Sequence, residues 1–266
     1  MEVSSSPAAG PPASVVARLR AAGCVFAEDE ARLLSEAARD QDELDDMVGK
    51  RAAGLPLEHI VGWAEFCGLR VATDPGVFVP RRRTEFLISQ AAALTPAGAV
   101  VVDLCCGSGA MGLALAVAAD VGELYAADLD EAAVRCARRN LDAIGGKVSA
   151  GDLFGALPER IRGRIGTLIA NVPYVPSGEV ALLPAEARLH EARLALDGGD
   201  DGLDVLRRVV AGAPQWLAPG GQLLIETSER QAPAAMAIFE RHGLRPVLAA
   251  SEEYAATVII GTAPGA

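Results

Sequence analysis

Asp103-Leu104-Cys105-Cys106-Gly107-Ser108-Gly109, running directly into Ala110-Met111-Gly112, is the stretch that sets the fold of this chain. An apolar run over residues 99–105 ends, glycines turn the backbone, and an apolar segment of helical length begins. Gly107 to Gly112 have the spacing Gly-x-Gly-x-x-Gly. In a strand–turn–helix context such glycines permit a tight turn and leave N–H groups at the helix start facing an anionic or polar ligand. Alone, the string is compatible with a dinucleotide site or with a bare turn.

Outward from there, strand and helix alternate to the end of the chain. Strands are expected over 99–105, 123–129, 147–152, 167–170, 221–227, 245–250 and 257–261, with helices over 110–119, 131–143, 203–217 and 231–242. The early strands are continuous apolar runs, which suits a parallel sheet buried on both faces. The last two lie too close for a crossover helix and are expected to pair antiparallel. The fold class is therefore α/β: a Rossmann-like, seven-stranded, mostly parallel sheet with an antiparallel last strand, occupying residues 84–266. Upstream, apolar positions at helical spacing over 14–55 (Val15, Val16 and Leu19; Leu33, Leu34 and Ala37; Leu44, Met47 and Val48) predict a small helical domain. Over 56–83, Phe66, Leu69, Val71, Val77, Phe78 and Val79 flank Asp74-Pro75-Gly76 and predict a β-hairpin linker. Thr84 has the character of an N-cap for a helix over 85–94. Residues 1–13, rich in Ser, Pro, Ala and Gly, are expected to form a disordered tail.

Composition narrows the partners. A hydrophobic fraction of 51% supplies a full core, and a formal net charge of −11 repels bare nucleic acid, so no stable nucleic-acid binding is expected. The five cysteines show no ligand spacing, which predicts neither a disulfide framework nor a metal site. The N-terminus lacks the pattern of a signal peptide, and the longest apolar stretch, 109–119, is too short to span a bilayer. A cytoplasmic protein with no membrane partner is expected, with a monomer favoured.

Four positions carry the chemistry. The first is the Gly107 turn. The second is Asp128, at the end of the next strand, where a carboxylate can accept both hydroxyls of a ribose; Asp130, directly before a helix, is the better cap. The third is Gly151-Asp152-Leu153-Phe154, where Asp152 can accept from an adenine amino group and Leu153 and Phe154 can wall the ring. The fourth is Asn171-Val172-Pro173-Tyr174. An amide nitrogen is a weak nucleophile because its lone pair is delocalised. Two acceptors, Asn171 Oδ1 and the Val172 carbonyl, can take both of its N–H bonds and aim it at a methyl donor, while Tyr174 stacks on the flat group. By itself this segment also suits a Pro-containing turn with a capping Asn.

These stretches, in this order, resemble the release-factor glutamine methyltransferases, the HemK/PrmC family. Leu55-Pro56-Leu57-Glu58-His59-Ile60-Val61-Gly62 with Glu65-Phe66, then Val79-Pro80-Arg81 with Thr84-Glu85, are similar to the family's upstream segments. Asn171–Tyr174 falls where the family has Asn-Pro-Pro-Tyr, and Glu191 with residues 196–204 (LDGGDDGLD) matches a later block. The resemblance covers residues 14–262. It implies a cytoplasmic S-adenosyl-L-methionine-dependent enzyme of translation termination that methylates glutamine in the Gly-Gly-Gln loop of a release factor, its protein partner. Asn171, Val172, Pro173 and Tyr174 would hold the substrate amide. Gly107, Gly109, Asp128, Asp152 and Leu153, flanked by Cys105, Ser108, Leu129 and Phe154 and adjoined by Asn171, would hold the cofactor, with Asp103 near its methionine end.

The chain departs from the pattern at Val172 (Pro in the family), at Arg82 and Arg83 (Pro and Asp) and at Ala192 (Pro). Val172 keeps the carbonyl, and preceding Pro173 holds it extended. Arg81-Arg82-Arg83 forms either a solvated surface run or a contact for an altered, acidic partner. The same chemistry on a small molecule or another nitrogen acceptor is the alternative; a DNA or RNA adenine amino group fits the acidic charge less well.

Overall fold

A computed structural model describes residues 12–265, in two compact units, one ending at Gly62 and one beginning at Trp63. The expected disordered tail lies outside the described residues except at its very end, where Ala13 already opens a helix.

The first unit contains α1 (Ala13–Ala21), α2 (Ala27–Ala37), α3 (Gln41–Ala52) and the short α4 (Leu57–Val61). Leu19, Ala31, Leu34 and Val48 form its core, as the helical spacing predicts. Asp40 caps α3 by accepting from the Glu43 N–H at 2.9 Å. Buried Arg51 pairs with Glu30 at 2.6 Å and donates to the Leu55 carbonyl at 2.9 Å. Leu57, Ile60 and Val61 of α4 pack on this core, so the boundary expected at residue 55 falls instead at Gly62, whose left-handed φ of 81° ends α4.

The second unit opens with a hairpin of β1 (Trp63–Phe66) and β2 (Leu69–Ala72). Its turn is not Asp74-Pro75-Gly76. Cys67 and Gly68, with φ of 50° and 73°, make the two-residue turn whose twist suits a hairpin. Residues 74–77 form a separate turn, closed by the Val77 N–H to the Asp74 carbonyl at 3.1 Å, and the residues from Val77 to Val79 do not pair as a strand. There follow α5 (Glu85–Leu94), β3 (Ala99–Leu104), α6 (Ala110–Ala118), β4 (Val121–Asp128), α7 (Glu131–Leu141), β5 (Lys147–Ala150) and β6 (Ile165–Ala170). Then come α8 (Ala185–His190), α9 (Asp204–Trp216), β7 (Leu217–Thr227), α10 (Ala232–Arg241), β8 (Arg245–Ser251) and β9 (Ala256–Thr262). The strand order is β5-β4-β3-β6-β7-β9-β8; only β9 runs antiparallel to its neighbours, the arrangement expected from the sequence. Pro246 is tolerated because β8 is the edge strand.

Side chains alternate across the sheet. Val100, Val102, Leu104, Leu168, Leu223 and Ile225 meet α9 and α10 on one face. Val101, Ile169, Leu224 and Val258 meet α5, α6 and α7 on the other. By the same alternation Asp103 and Glu226 point to this second face, two carboxylates inside an apolar layer. After β3 the chain builds outward through β4 to β5, then returns to lay β6 on the other side of β3. A ligand crevice is expected at that switch point, beyond the carboxyl ends of the strands.

Candidate active site

A cavity of about 440 Å³ lies there, within the range of small-molecule sites. It is lined from the ends of four strands: Cys105 and Gly107 after β3, Asp128 and Leu129 at β4, Asp152 and Leu153 after β5, and the residues from Asn171 to Val175 after β6.

On the β3–β4 side, Gly107 adopts φ 55° and a Cβ there would meet nothing within 4 Å, so this glycine serves the turn and leaves the cavity floor open. Gly109 has another reason: a Cβ would press on Ala137 and Leu141 of α7 at 3.1 Å, so it permits close helix packing. The Asp128 carboxylate is fixed by two backbone donors, Gly107 N–H to Oδ2 at 2.8 Å and Asp130 N–H to Oδ1 at 2.9 Å. Each oxygen keeps a further lone pair for a ligand hydroxyl. Burial pushes this carboxyl up, opposed by those two N–H groups. Asp130 caps α7, accepting from the Ala132 N–H at 2.8 Å, as its position before the helix implies. Two non-glycine residues of the lining, Cys105 (φ 56°) and Leu153 (φ 49°), are left-handed, a strain that clusters at functional sites.

The expected residues Asp103 and Phe154 lie outside the cavity lining. Asp103 is fully buried beneath the loop, where Oδ2 accepts from the Gly112 N–H at 2.9 Å and Oδ1 has no partner among the described residues. Burial pushes its carboxyl up to about 8. It braces the start of α6 and does not line the cavity. Phe154, expected to wall a ring, turns the other way: it stacks on Trp216 at 5.7 Å, over a surface that Gly212 leaves open. Asp152 lines the cavity, but Oδ2 accepts from Arg208 of α9 at 2.5 Å. Burial and nearby carboxylates push the Cys105 thiol up, so it stays protonated and is no nucleophile.

On the β6 side, Asn171 Nδ2 donates to the Thr84 hydroxyl at 3.3 Å. Neither Asn171 Oδ1 nor the Val172 carbonyl receives a hydrogen bond among the described residues. Thr84 makes no side-chain cap to α5; its hydroxyl serves Asn171 instead. Val172 packs its side chain into the core at 1% exposure, which a β-branched residue in extended conformation does readily. Tyr174 donates its hydroxyl to buried Glu226 at 3.0 Å. The 196–204 block wraps this segment through Val175 N–H to the Leu196 carbonyl at 3.0 Å and Gly198 N–H to the Val175 carbonyl at 2.8 Å, and Gln231, just before α10, donates Nε2 to the Tyr174 carbonyl at 2.9 Å.

The arginine run is not a single patch, although Arg82 and Arg83 are exposed. Arg81 pairs with buried Glu191, Arg83 Nε lies 3.7 Å from Glu226, and Arg82 sits over the Tyr254 ring at 5.9 Å. Thr84, Arg208 and Glu226 escaped the sequence reading as site residues. Glu226 left a signal: a carboxylate at the end of an apolar strand, like Asp128.

The family model for the methyltransferase small domain matches residues 68–201. A methyltransferase from Pyrococcus furiosus shares the fold with a TM-score of 0.56 at 16% identity, over 75% of this chain and 90% of that one. Fold, switch-point cavity and family match together define a class I, Rossmann-like methyltransferase. The release factor glutamine methyltransferase of Geobacter sulfurreducens is 35% identical over 81% of this chain and 75% of its own length. The 4-amino-L-phenylalanine/4-methylamino-L-phenylalanine methyltransferase of Streptomyces pristinaespiralis is 37% identical over 74% of this chain and 69% of its own. The chain belongs to the release factor glutamine methyltransferase family.

Proposed function

We propose that this chain transfers a methyl group from S-adenosyl-L-methionine to the side-chain amide nitrogen of a glutamine in a protein, the Gly-Gly-Gln loop of a release factor. One observation carries the reading: two acceptor oxygens, Asn171 Oδ1 and the Val172 carbonyl, belong to residues lining the cavity and receive no hydrogen bond among the described residues. A flat NH₂ group offers the two donors that such a pair needs.

The residues present fit the cofactor. The open floor at Gly107 accommodates close backbone approach, and the fixed Asp128 carboxylate suits a ribose diol. Leu153 presents an apolar wall. When bound, the cofactor supplies an electrophilic methyl on a sulfonium. The protein's part is orientation and charge: Asn171 and Val172 would hold the NH₂ so that its nitrogen faces that methyl, and would stabilise the positive charge that builds there on transfer. Asp103 and Phe154 support the site from below, and Tyr174 bounds the substrate side.

The Streptomyces pristinaespiralis relative favours a second acceptor, the amino group on an aromatic ring, which the same two oxygens could hold. Labelled methyl transfer to a recombinant release factor, to its Gln→Ala loop variant and to 4-amino-L-phenylalanine separates the two. Label on the release factor alone is expected. Label on the free amine, with none on the protein, overturns the choice of acceptor.

A further inference from the structure

An asparagine side chain has two nearly isosteric ends. Only one of them, Oδ1, can accept from an NH₂ group; the flipped amide would set donor against donor. Something must choose between them, and the structure holds a candidate. Asn171 Nδ2 donates to Thr84 Oγ1 at 3.3 Å. Thr84 is itself buried and its hydroxyl acts on the carboxylate of Glu226, holding it down against burial, while Glu226 Oε2 is buried with no hydrogen bond formed among the described residues. Glu226 is 1% exposed, accepts from the Tyr174 hydroxyl at 3.0 Å through Oε1, and has Arg83 Nε 3.7 Å away.

We infer that Glu226 and Thr84 form a polarity relay that fixes which end of the Asn171 amide faces the acceptor. This rests on the proposed role of Asn171. An ionised carboxylate only accepts, so the single proton of the Thr84 hydroxyl turns to Glu226. The Thr84 oxygen is then left as an acceptor, Asn171 must give it Nδ2, and Oδ1 is presented. The same carboxylate anchors Tyr174, so one buried charge sets both halves of the Asn171–Tyr174 segment. Arg83, the third residue of the arginine run, offsets the cost of keeping that charge buried. Burial pushes the Glu226 carboxyl up, against the Thr84 and Tyr174 hydroxyls and Arg83. Glu226 and Thr84 are positioning residues: Glu226 does not line the cavity, and Thr84, which does, acts through Asn171.

The test compares Thr84→Val, Thr84→Ser and Glu226→Gln. Thr84→Val keeps the shape without the hydroxyl, and Glu226→Gln can donate to the Thr84 oxygen and turn its proton onto Asn171. Both are expected to lower kcat about 10- to 100-fold, as for one lost hydrogen bond in a buried network, with cofactor affinity by calorimetry unchanged. Thr84→Ser restores kcat. The double variant is no worse than the poorer single one, since each cuts the same relay. The charged or titratable groups facing Glu226 are Arg83 and Tyr174, whose hydroxyl burial pushes up, so in the wild type kcat falls on the acid side as Glu226 protonates. Thr84→Val loses the part of that limb that passes through Asn171 and keeps the part that passes through Tyr174.

A second readout needs no acceptor. In ¹⁵N-labelled protein the Asn171 side-chain NH₂ is expected to exchange slowly and to show a contact to the Thr84 methyl, both lost in Glu226→Gln. Wild-type kcat in Thr84→Val, or an Asn171 NH₂ equally labile in wild type and Glu226→Gln, overturns the relay. Absence of methyl transfer to the release factor by the wild type overturns the acceptor assignment instead, and the spectra then decide the relay by themselves.

Discussion

Gly198 sits where the 196–204 block crosses the substrate-side segment, and Gly198→Ala tests whether that crossing sets the active geometry. A Cβ at this position would lie 2.5 Å from the Pro173 carbonyl oxygen and 2.7 Å from that of Gly202. Both neighbours are main chain, so neither can swing aside as a flexible side chain would. Relief to a tolerable contact requires the Pro173 peptide to retreat on the order of 0.5–1 Å. A misplacement of about 1 Å in a catalytic group costs roughly 10²-fold in rate, and overpacking costs about 1–3 kcal/mol of stability. At about 2–4 °C per kcal/mol for a domain of this size, the melting temperature falls by roughly 2–12 °C. Gly178→Ala is the control, because a Cβ there meets nothing within 4 Å. The assay is kcat at saturating acceptor, with cofactor affinity from calorimetry and a thermal melt on each variant. Gly198→Ala is expected to lose about 10²-fold in kcat with cofactor affinity nearly intact, and Gly178→Ala to match wild type. Wild-type kcat in Gly198→Ala would refute the claim that this block holds the segment in place.

Asn171→Ala should lower kcat on the order of 10²–10³-fold while leaving cofactor affinity nearly unchanged, as for losing one preorganised contact to developing charge; stopped-flow transfer and calorimetry measure the two. Asp128→Ala should do the reverse, weakening cofactor binding by roughly 10–100-fold, the equivalent of its charge-assisted hydrogen bonds, with kcat at saturation retained. Asp103 gives a stability signature. With its carboxyl raised to about 8, the folded state holds a proton that the unfolded chain has already lost above the ordinary carboxylate range. Stability therefore falls as pH rises toward 8, by at most about 1.4 kcal/mol per pH unit, and levels off above. Subtracting the melting curve of Asp103→Asn from that of wild type across this range should show the slope; equal pH dependence in both would remove the assignment.

The parts of the fold that follow from periodicity were legible in the sequence. Continuous apolar runs gave buried parallel strands, and the short gap between Ser251 and Ala256 left only an antiparallel pairing for β8 and β9. The Gly107 turn and Asp128 were legible because their chemistry is local: a strand end, a glycine, a helix start. What escaped depends on pairs far apart in the chain. Thr84 looked like a cap because caps are the commonest use of threonine before a helix, yet its partner is Asn171, 87 positions on. Phe154 looked like a ring wall until Trp216 and Gly212 of α9 supplied a better surface. The hairpin turn was misplaced because Asp74-Pro75-Gly76 is a stronger local turn signal than Cys67-Gly68. The arginines resolve only when Glu191 and Glu226 are brought beside them by the fold.

The central claim is that the Asn171 and Val172 oxygens hold a planar nitrogen for methyl transfer. A crystal structure with the demethylated cofactor product, S-adenosylhomocysteine, and a Gly-Gly-Gln peptide tests it most directly. The account predicts the glutamine amide nitrogen at about 2.9 Å from both Asn171 Oδ1 and the Val172 carbonyl. A bound peptide with Asn171 turned away, or with the Val172 carbonyl hydrogen-bonded inside the protein, would contradict it.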